Sequence, residues 1–133
     1  MTGPRRPAAE GPRAPAAGRG TNRVRIVGGT HRGRKIAFPD AAGLRPTGDR
    51  IRETLFNWLQ PVLPGSRCLD LFAGSGALGF EALSRGAATV TLVDENRRTA
   101  QMLRETAASL NAGSDCTITC MSAVRFLREP RPC

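Results

Sequence analysis

The chain has 133 residues, including 20 Lys or Arg and 11 Asp or Glu, and carries a formal net charge of +9 at pH 7. This length suits one domain of modest core, and the basic excess favours a polyanionic partner, with a solvated surface and a basic tail as the alternative. A metal site is improbable, because the four cysteines form no C-x-x-C pair and the chain has a single histidine. The sequence also has no signal-peptide pattern and no apolar run long enough to span a membrane, so we expect a cytoplasmic protein.

The N-terminal segment differs in composition from the rest of the chain. Residues 1–22 are almost entirely Ala, Pro, Gly and Arg, and such a segment buries too little apolar surface to offset the entropy of ordering it. We therefore predict a disordered tail there. In residues 23–39, apolar positions alternate with polar or small ones in two short runs, which predicts a β-hairpin. Its apolar positions are Val24, Ile26, Ile36 and Phe38.

The connection of this hairpin is basic. Arg32, Arg34 and Lys35 lie beside three glycines, and a basic connection of this kind is suited to lie along a phosphate backbone. The alternative is that the charges protect an edge hairpin from aggregation. We name these three residues as the candidate RNA contacts.

Residues 44–61 predict an amphipathic helix. Thr47 is a suitable N-cap, Asp49 favours the positive helix end, and Pro61 would end the helix. Trp58 borders the apolar face, and we expect it to pack there rather than stack on a base. The apolar face comprises Ile51, Leu55, Phe56 and Leu59, and the opposite face Arg50, Glu53 and Asn57.

From residue 67 onward, strands and helices alternate. Strands are predicted at 67–72, 89–94 and 116–121, and helices from the glycine-rich turn to about Ser84, at 95–113 and at 123–129. This rhythm predicts an α/β fold with a parallel, doubly wound sheet and right-handed crossovers. The cysteines of these strands lie among apolar residues and are expected to be buried, reduced thiols, namely Cys68, Cys116 and Cys120.

The stretch LDLFAGSGALGF joins the first of these strands to a glycine-rich turn. Gly74, Gly76 and Gly79 have the G-x-G-x-x-G spacing, and Asp94 ends the following strand, an arrangement shared by dinucleotide sites and S-adenosylmethionine (SAM) sites. Asp70 favours SAM, because a carboxylate at this turn would repel a pyrophosphate but attract the sulfonium and ammonium groups of SAM. A dehydrogenase-like nucleotide binder is the alternative.

Three runs, RIVGGTHRGRKI, LRPTGDRIRETLFNWL and LDLFAGSGALGFEALSRGA, together resemble bacterial methyltransferases that modify guanine N2 in small-subunit (16S) rRNA. The resemblance covers residues 23–128. It implies a class I SAM-dependent methyltransferase fold with a Rossmann-like doubly wound sheet, here incomplete, and an N-terminal hairpin and helix extension. The implied partner is small-subunit rRNA or the assembling 30S particle. The implied division is a tail (1–22), an RNA-binding extension (23–62) and the first half of a SAM-binding domain (63–133).

The resemblance also implies roles for single residues. Asp94 would accept hydrogen bonds from the SAM ribose, or else cap the next helix. Ser122 and Ala123 would lie beside the adenine amino group, although Ser122 could be only an N-cap. Arg32, Arg34 and Lys35 would follow the rRNA. The methionine side of SAM would be lined by Asp70, Phe72 (or else Phe72 is core), Ala73, Gly74, Ser75 and Gly76, and the upstream residues abutting the cofactor would be Thr47, Asp49 and Arg50.

The resemblance implies a catalytic Asp/Asn-Pro-Pro-Tyr/Phe loop after a fourth strand, and the 133 residues contain no such motif. We therefore nominate no catalytic residue. We expect a C-terminally shortened methyltransferase whose first strand is an open apolar edge, prone to pairing or aggregation, with little activity of its own. A non-catalytic RNA-binding fragment is the alternative.

Overall fold

The computed structural model describes residues 21–39 and 48–129 of the chain. A two-stranded hairpin stands beside a three-stranded sheet with helices. The strands are β1 (Thr21–Arg25), β2 (Lys35–Pro39), β3 (Arg67–Asp70), β4 (Thr89–Asp94) and β5 (Cys116–Cys120). The α-helices are α1 (Asp49–Leu59), α2 (Ala77–Ser84), α3 (Arg97–Ser109) and α4 (Ala123–Arg128), and short 3₁₀ turns lie at Gln60–Val62 and Gly113–Asp115.

The hairpin confirms the alternation in the sequence. β1 and β2 pair antiparallel, with Val24 opposite Ile36. All four predicted apolar positions are buried, since Val24, Ile26, Ile36 and Phe38 join the hydrophobic core. β2 also packs against α3, so the hairpin is attached to the sheet domain through its apolar face.

The second sheet has the predicted parallel topology. Its strand order is β3-β4-β5, and both pairings are parallel. The central strand is the most buried, with Val90, Leu92 and Val93 at 1% exposure or less, as expected for a strand covered on both faces. Within the described residues, β3 pairs only with β4, so its other edge is open, as the sequence led us to expect.

Several predicted boundaries change. β1 begins at Thr21, two residues inside the predicted tail, whose residues 1–20 lie outside the described part of the chain. β3 ends at Asp70 because the chain turns at Leu71. The predicted helix 95–113 is shorter, because Asn96 caps α3 and the helix ends at Ser109.

The predicted helix 44–61 also begins and ends differently. Gly48, not Thr47, occupies the N-cap of α1, and Thr47 lies outside the described residues. Pro61 does not end the helix directly, because α1 stops at Leu59 and Pro61 falls inside the 3₁₀ turn that follows.

The buried face of α1 differs from the predicted one. Trp58 and Ile51 are 76% and 66% exposed, so the expected packing of Trp58 is wrong. The buried residues of α1 are Phe56 and Arg52, and Arg52 is fully buried. Periodicity alone assigns an arginine to the solvent side, whereas here the guanidinium turns inward to a buried carboxylate, Glu81.

The thiol predictions hold in part. Cys116 is buried, and burial raises the pKa of its thiol to about 11, so it is inert at neutral pH. Cys68 and Cys120 are only half-buried, and neither forms a disulfide. Among the residues that the structure describes, no helix has the length and apolar character needed to cross a membrane.

Candidate functional site

The turn between β3 and α2 requires glycine for two separate reasons. Gly74 and Gly76 adopt φ of 53° and 84°, in the left-handed region that glycine favours. Gly79 has an ordinary backbone, but a Cβ there would lie 2.1 Å from Cδ2 of Leu92 on β4. The first two glycines therefore form the turn, and the third allows α2 to lie close against the sheet.

Backbone N–H groups of this turn are already bonded within the protein. A dinucleotide site needs such groups to face the pyrophosphate. Here they donate to protein acceptors, so the turn is poorly suited to a phosphate and better suited to a ligand without one. The bonds run from Ala73 N to Val93 O (2.9 Å), Gly74 N to Asp94 Oδ2 (3.0 Å), Gly76 N to Ala73 O (2.8 Å) and Ala77 N to Ser75 Oγ (3.2 Å).

Asp94 links this turn to the start of α3. Its Oδ2 accepts the bond from Gly74, and its Oδ1 accepts a bond from the N–H of Asn96 at 2.9 Å. The N-cap of α3 is Asn96, which accepts from Thr99 N at 3.0 Å. Asp94 is therefore not itself the N-cap, and each of its oxygens keeps acceptor capacity toward a ligand.

Asp70 ends the neighbouring strand and is half-buried. Burial raises the pKa of the Asp70 carboxyl, a hydrogen bond from the N–H of Phe72 (3.1 Å) opposes this rise, and the Asp94 carboxylate adds to it. Two carboxyl groups whose charges disfavour one another would both be stabilised by a ligand cation. The electrostatics of this strand end therefore suit a positively charged ligand.

A cleft of about 340 Å³ opens beside Asp94, whereas Asp70 lines a separate apolar groove on the other side of its strand end. Phe72 is 80% exposed at its wall, so the alternative that Phe72 is a core residue is wrong. Ser122 also lines the cleft, and its Oγ N-caps α4 by accepting from Arg125 N at 3.1 Å. The cleft thus collects residues from three loops, namely Leu71, Phe72, Asp94, Glu95, Ser122, Ala123 and Val124.

The remaining candidates are distributed more widely. Ala73 and Ser75 are buried inside the glycine turn. Asp49 pairs with Arg25 (3.3 Å) and Arg52 (2.8 Å), and Arg50 is exposed on α1. Neither Asp49 nor Arg50 lines the cleft at Asp94.

The basic candidates of the hairpin connection are exposed. Arg32 and Lys35 lie on its surface, and Arg34 is also exposed but donates to the carbonyl oxygen of Ser109 at 2.7 Å. Arg34 therefore helps to dock the hairpin on α3. Within residues 21–39 and 48–129, no group of three His, Cys, Asp or Glu is arranged to hold a metal ion.

The sequence reading missed Glu81, a fully buried carboxylate on α2. It accepts bonds from the N–H groups of Val27 and Gly28, both at 2.9 Å, and pairs with Arg85 at 2.8 Å and Arg52 at 3.4 Å. The helix that begins in the glycine turn is thereby tied to the hairpin. A signal was available, because a glutamate inside the apolar run GALGFEALS is expected to have buried partners.

Known proteins resemble this chain over most of its length. The family model described as "Conserved hypothetical protein 95" matches residues 24–131. Ribosomal RNA small subunit methyltransferase D of Escherichia coli K12 is 53% identical over 110 residues, which cover 83% of this chain and 55% of that protein. The protein of the same name from Haemophilus influenzae is 48% identical over 109 residues, covering 81% of this chain and 56% of that protein.

A solved structure is also similar to this chain. The Escherichia coli protein yhhF aligns with a TM-score of 0.75 and 53% identity over 81% of this chain and 58% of that one. The chain thus spans little more than half the length of the relatives it matches, and the expected fold class, Rossmann-like α/β of the methyltransferase type, is confirmed over that span. The chain belongs to the conserved hypothetical protein 95 family, and relatives that match it are rRNA methyltransferases by name.

Proposed function

We propose that this chain binds SAM in the cleft at Asp94 and serves the methylation of guanine N2 in small-subunit (16S) rRNA. The observation that carries the proposal is the contact between the glycine turn and Asp94, a residue that lines the cleft: the Gly74 N–H donates to Asp94 at 3.0 Å. Because four N–H groups of the turn already donate to protein acceptors and two carboxyl groups lie nearby, a cationic donor without phosphate suits this site better than a dinucleotide.

Different residues would contact different parts of the bound SAM. Asp94 would accept hydrogen bonds from the ribose hydroxyls, and Ser122 with Ala123 would lie beside the adenine. Asp70 would face the positive groups of the methionine portion, along the turn Ala73–Gly76, with Phe72 covering the ligand. SAM supplies an electrophilic methyl group when bound. Positioning of the target amine in line with that methyl group would supply much of the rate acceleration.

The two other parts of the chain would serve the RNA. The extension of residues 23–62 would contact small-subunit rRNA or the assembling 30S particle in the cytoplasm, through Arg32, Arg34 and Lys35. Thr47, Asp49 and Arg50 would support the cofactor domain from the upstream side. The cofactor half would be residues 63–133, and residues 1–22 would add a basic tail.

Calorimetric titration of the full chain with SAM, and with NAD as the comparison ligand, tests the proposal. We expect saturable SAM binding that weakens at least about tenfold (about 1.4 kcal/mol) in Asp94→Asn. Asp115→Asn, an exposed carboxylate before β5, is the matched control and should bind SAM normally. Tighter binding of NAD than of SAM would contradict the proposal.

A non-catalytic RNA-binding role is the second candidate, supported by the exposed basic connection of the hairpin. Salt-sensitive RNA binding by a chain that binds no SAM at any concentration tested would favour this role instead.

A further inference from the structure

A second and larger cleft, of about 950 Å³, lies between the hairpin connection, α1 and the end of α2. It shares no residue with the cleft at Asp94. Three arginines, Arg25, Arg32 and Arg85, line it together with one acidic residue, Glu53. We propose that this arginine cleft binds a phosphodiester of the RNA substrate, apart from the cofactor; this rests on the proposed function for the identity of the RNA.

The floor of the arginine cleft is fixed by α2. The hydroxyl of Ser84 donates to the carbonyl of Gly28 at 2.6 Å and accepts from the N–H of His31 at 2.8 Å, and the Ser84 carbonyl accepts from Thr30 N at 2.8 Å. A Cβ on Gly29 would lie 2.0 Å from that carbonyl oxygen. The connection therefore rests directly on the helix, and its shape is set before any ligand arrives.

This anchoring uses up backbone donors of the connection. The N–H groups of Val27, Gly28, Thr30 and His31 donate to α2, and that of Arg32 donates to Gly29. An anion in the cleft must therefore be held mainly by side chains. Guanidinium groups are suited to this, because their planar fork matches two phosphate oxygens at once.

The three arginines differ in how they are held. Arg85 is held in place, and its side chain is only 8% exposed. Its Nε donates to Glu81, its Nη1 donates to Asn57 at 3.1 Å, and its guanidinium lies 5.6 Å from the centre of the Phe56 ring. Its guanidinium also lies against Gly28, where a Cβ would come within 2.9 Å of Nη2. Arg85 thus supplies a rigid wall, and its charge is shared with Glu81.

Arg25 and Arg32 are the exposed charges of the arginine cleft. Arg25 is 61% exposed and pairs with Asp49 at 3.3 Å, and exposed pairs of this kind are worth about 0–1 kcal/mol. A phosphate can therefore exchange for Asp49 at small cost. Arg32 is exposed in the hairpin connection, where only Gly33 separates it from the basic positions Arg34 and Lys35.

The openness of the arginine cleft favours RNA over a free phosphate or nucleotide. Arg25 and Arg32 are exposed to solvent, and an exposed ion pair is worth only about 0–1 kcal/mol, so the two side chains hold a single small anion weakly. A polynucleotide presents many phosphates in a row, and releases a counterion for each one neutralised. The cleft then holds one phosphodiester while neighbouring phosphates meet Arg34 and Lys35.

The test uses the full chain and a fluorescently labelled RNA hairpin, with anisotropy measured over a salt series. Arg25→Ala and Arg32→Ala should each weaken binding severalfold and reduce the slope of log affinity against log salt by about 1. Arg104→Ala, an exposed arginine on α3 outside the cleft, is the matched control and should leave the slope unchanged. Glu53→Gln should act in the opposite direction and strengthen binding.

Two results would overturn the inference. The first is a slope and affinity that do not change in Arg25→Ala and Arg32→Ala, or that change as much in Arg104→Ala. The second is displacement of the labelled RNA by guanosine monophosphate when both are present at equal phosphate concentration. That result would assign the cleft to free nucleotides. SAM titration of the same variants separates this inference from the proposed function. Unchanged SAM binding together with weakened RNA binding in the variants supports both. If the wild-type chain binds no SAM, the cofactor proposal alone is contradicted.

Discussion

Asp70 and Asp94 end two neighbouring parallel strands, where their carboxyl groups approach the glycine turn. In the sequence, Asp70 before the turn already favoured a cationic ligand, and the structure adds the hydrogen bonds that each carboxylate accepts. It also shows that Ser122 is an N-cap, which sequence reasoning had left as one of two alternatives. Whether a serine at this place caps a helix depends on the path of the chain after it. The residue type alone therefore could not decide between the two roles.

Asp70→Asn should raise stability and lower cofactor affinity. Because burial raises the pKa of Asp70 in the folded state, the protonated carboxyl is favoured by folding; its contribution is fully present below the unfolded-state pKa and is lost as pH rises through the folded pKa. Asparagine keeps the acceptor for Phe72 N–H without the charge. Urea unfolding should therefore show a more stable variant at pH 7 and little difference at a pH below both pKa values. A variant less stable than wild type at pH 7 would contradict this explanation.

Gly79→Ala tests the close packing of α2 on the sheet. Alanine in a helix is normally about 1 kcal/mol more favourable than glycine, but here its Cβ would meet Leu92, and overpacking of a core costs about 1–3 kcal/mol. We expect net destabilisation in thermal unfolding. Adding Leu92→Val removes the clashing methyl group, so the double mutant should show a coupling energy of at least about 0.5 kcal/mol. If the stability changes of the two single mutants simply add up in the double mutant, the contact with Leu92 is not what excludes a side chain at position 79.

At the scale of elements, the order and type of strands and helices followed from the sequence, whereas the orientation of α1 did not. The alternation in β1 and β2 and the apolar positions of β4 were strong patterns, because the buried positions of these strands are uniformly apolar. α1 instead buries Arg52 toward Glu81 on α2. Arg52 is buried because its partner on another helix is buried. This depends on a tertiary contact, which the local pattern of apolar residues in α1 does not reveal.

Glu81→Gln should destabilise the chain strongly. The change leaves Arg52 and Arg85 without the buried carboxylate that faces both of them, and breaking a buried ion pair costs about 3–5 kcal/mol. Glu129→Gln is the control, because the Arg125–Glu129 pair has the same charge types with side chains 71% and 38% exposed; it should cost below about 0.5 kcal/mol. Urea denaturation measures both, and equal losses in the two variants would refute the buried network as a support of the hairpin.

On the scale of the whole molecule, the described residues leave the free edge of β3 beside an apolar groove of about 250 Å³. Leu69 on this strand is 50% exposed, and an open apolar edge favours pairing with another chain. We expect concentration-dependent self-association in sedimentation velocity, reduced by Leu69→Lys. Val62→Lys, at a 68% exposed apolar position outside the groove, is the control. Monomers at all concentrations, or equal effects of both variants, would count against pairing through this edge.

The assignment of the cleft at Asp94 to SAM is tested most directly by a two-dimensional amide NMR titration of the 14.2 kDa chain with SAM. We expect saturable shifts at the amides of Asp94 and Ser122, which line the cleft, and of Gly74, whose N–H donates to Asp94, and little change at Gly33 in the hairpin connection. No shift at saturating SAM, or shifts confined to the hairpin connection, would contradict the assignment of this cleft to the methyl donor.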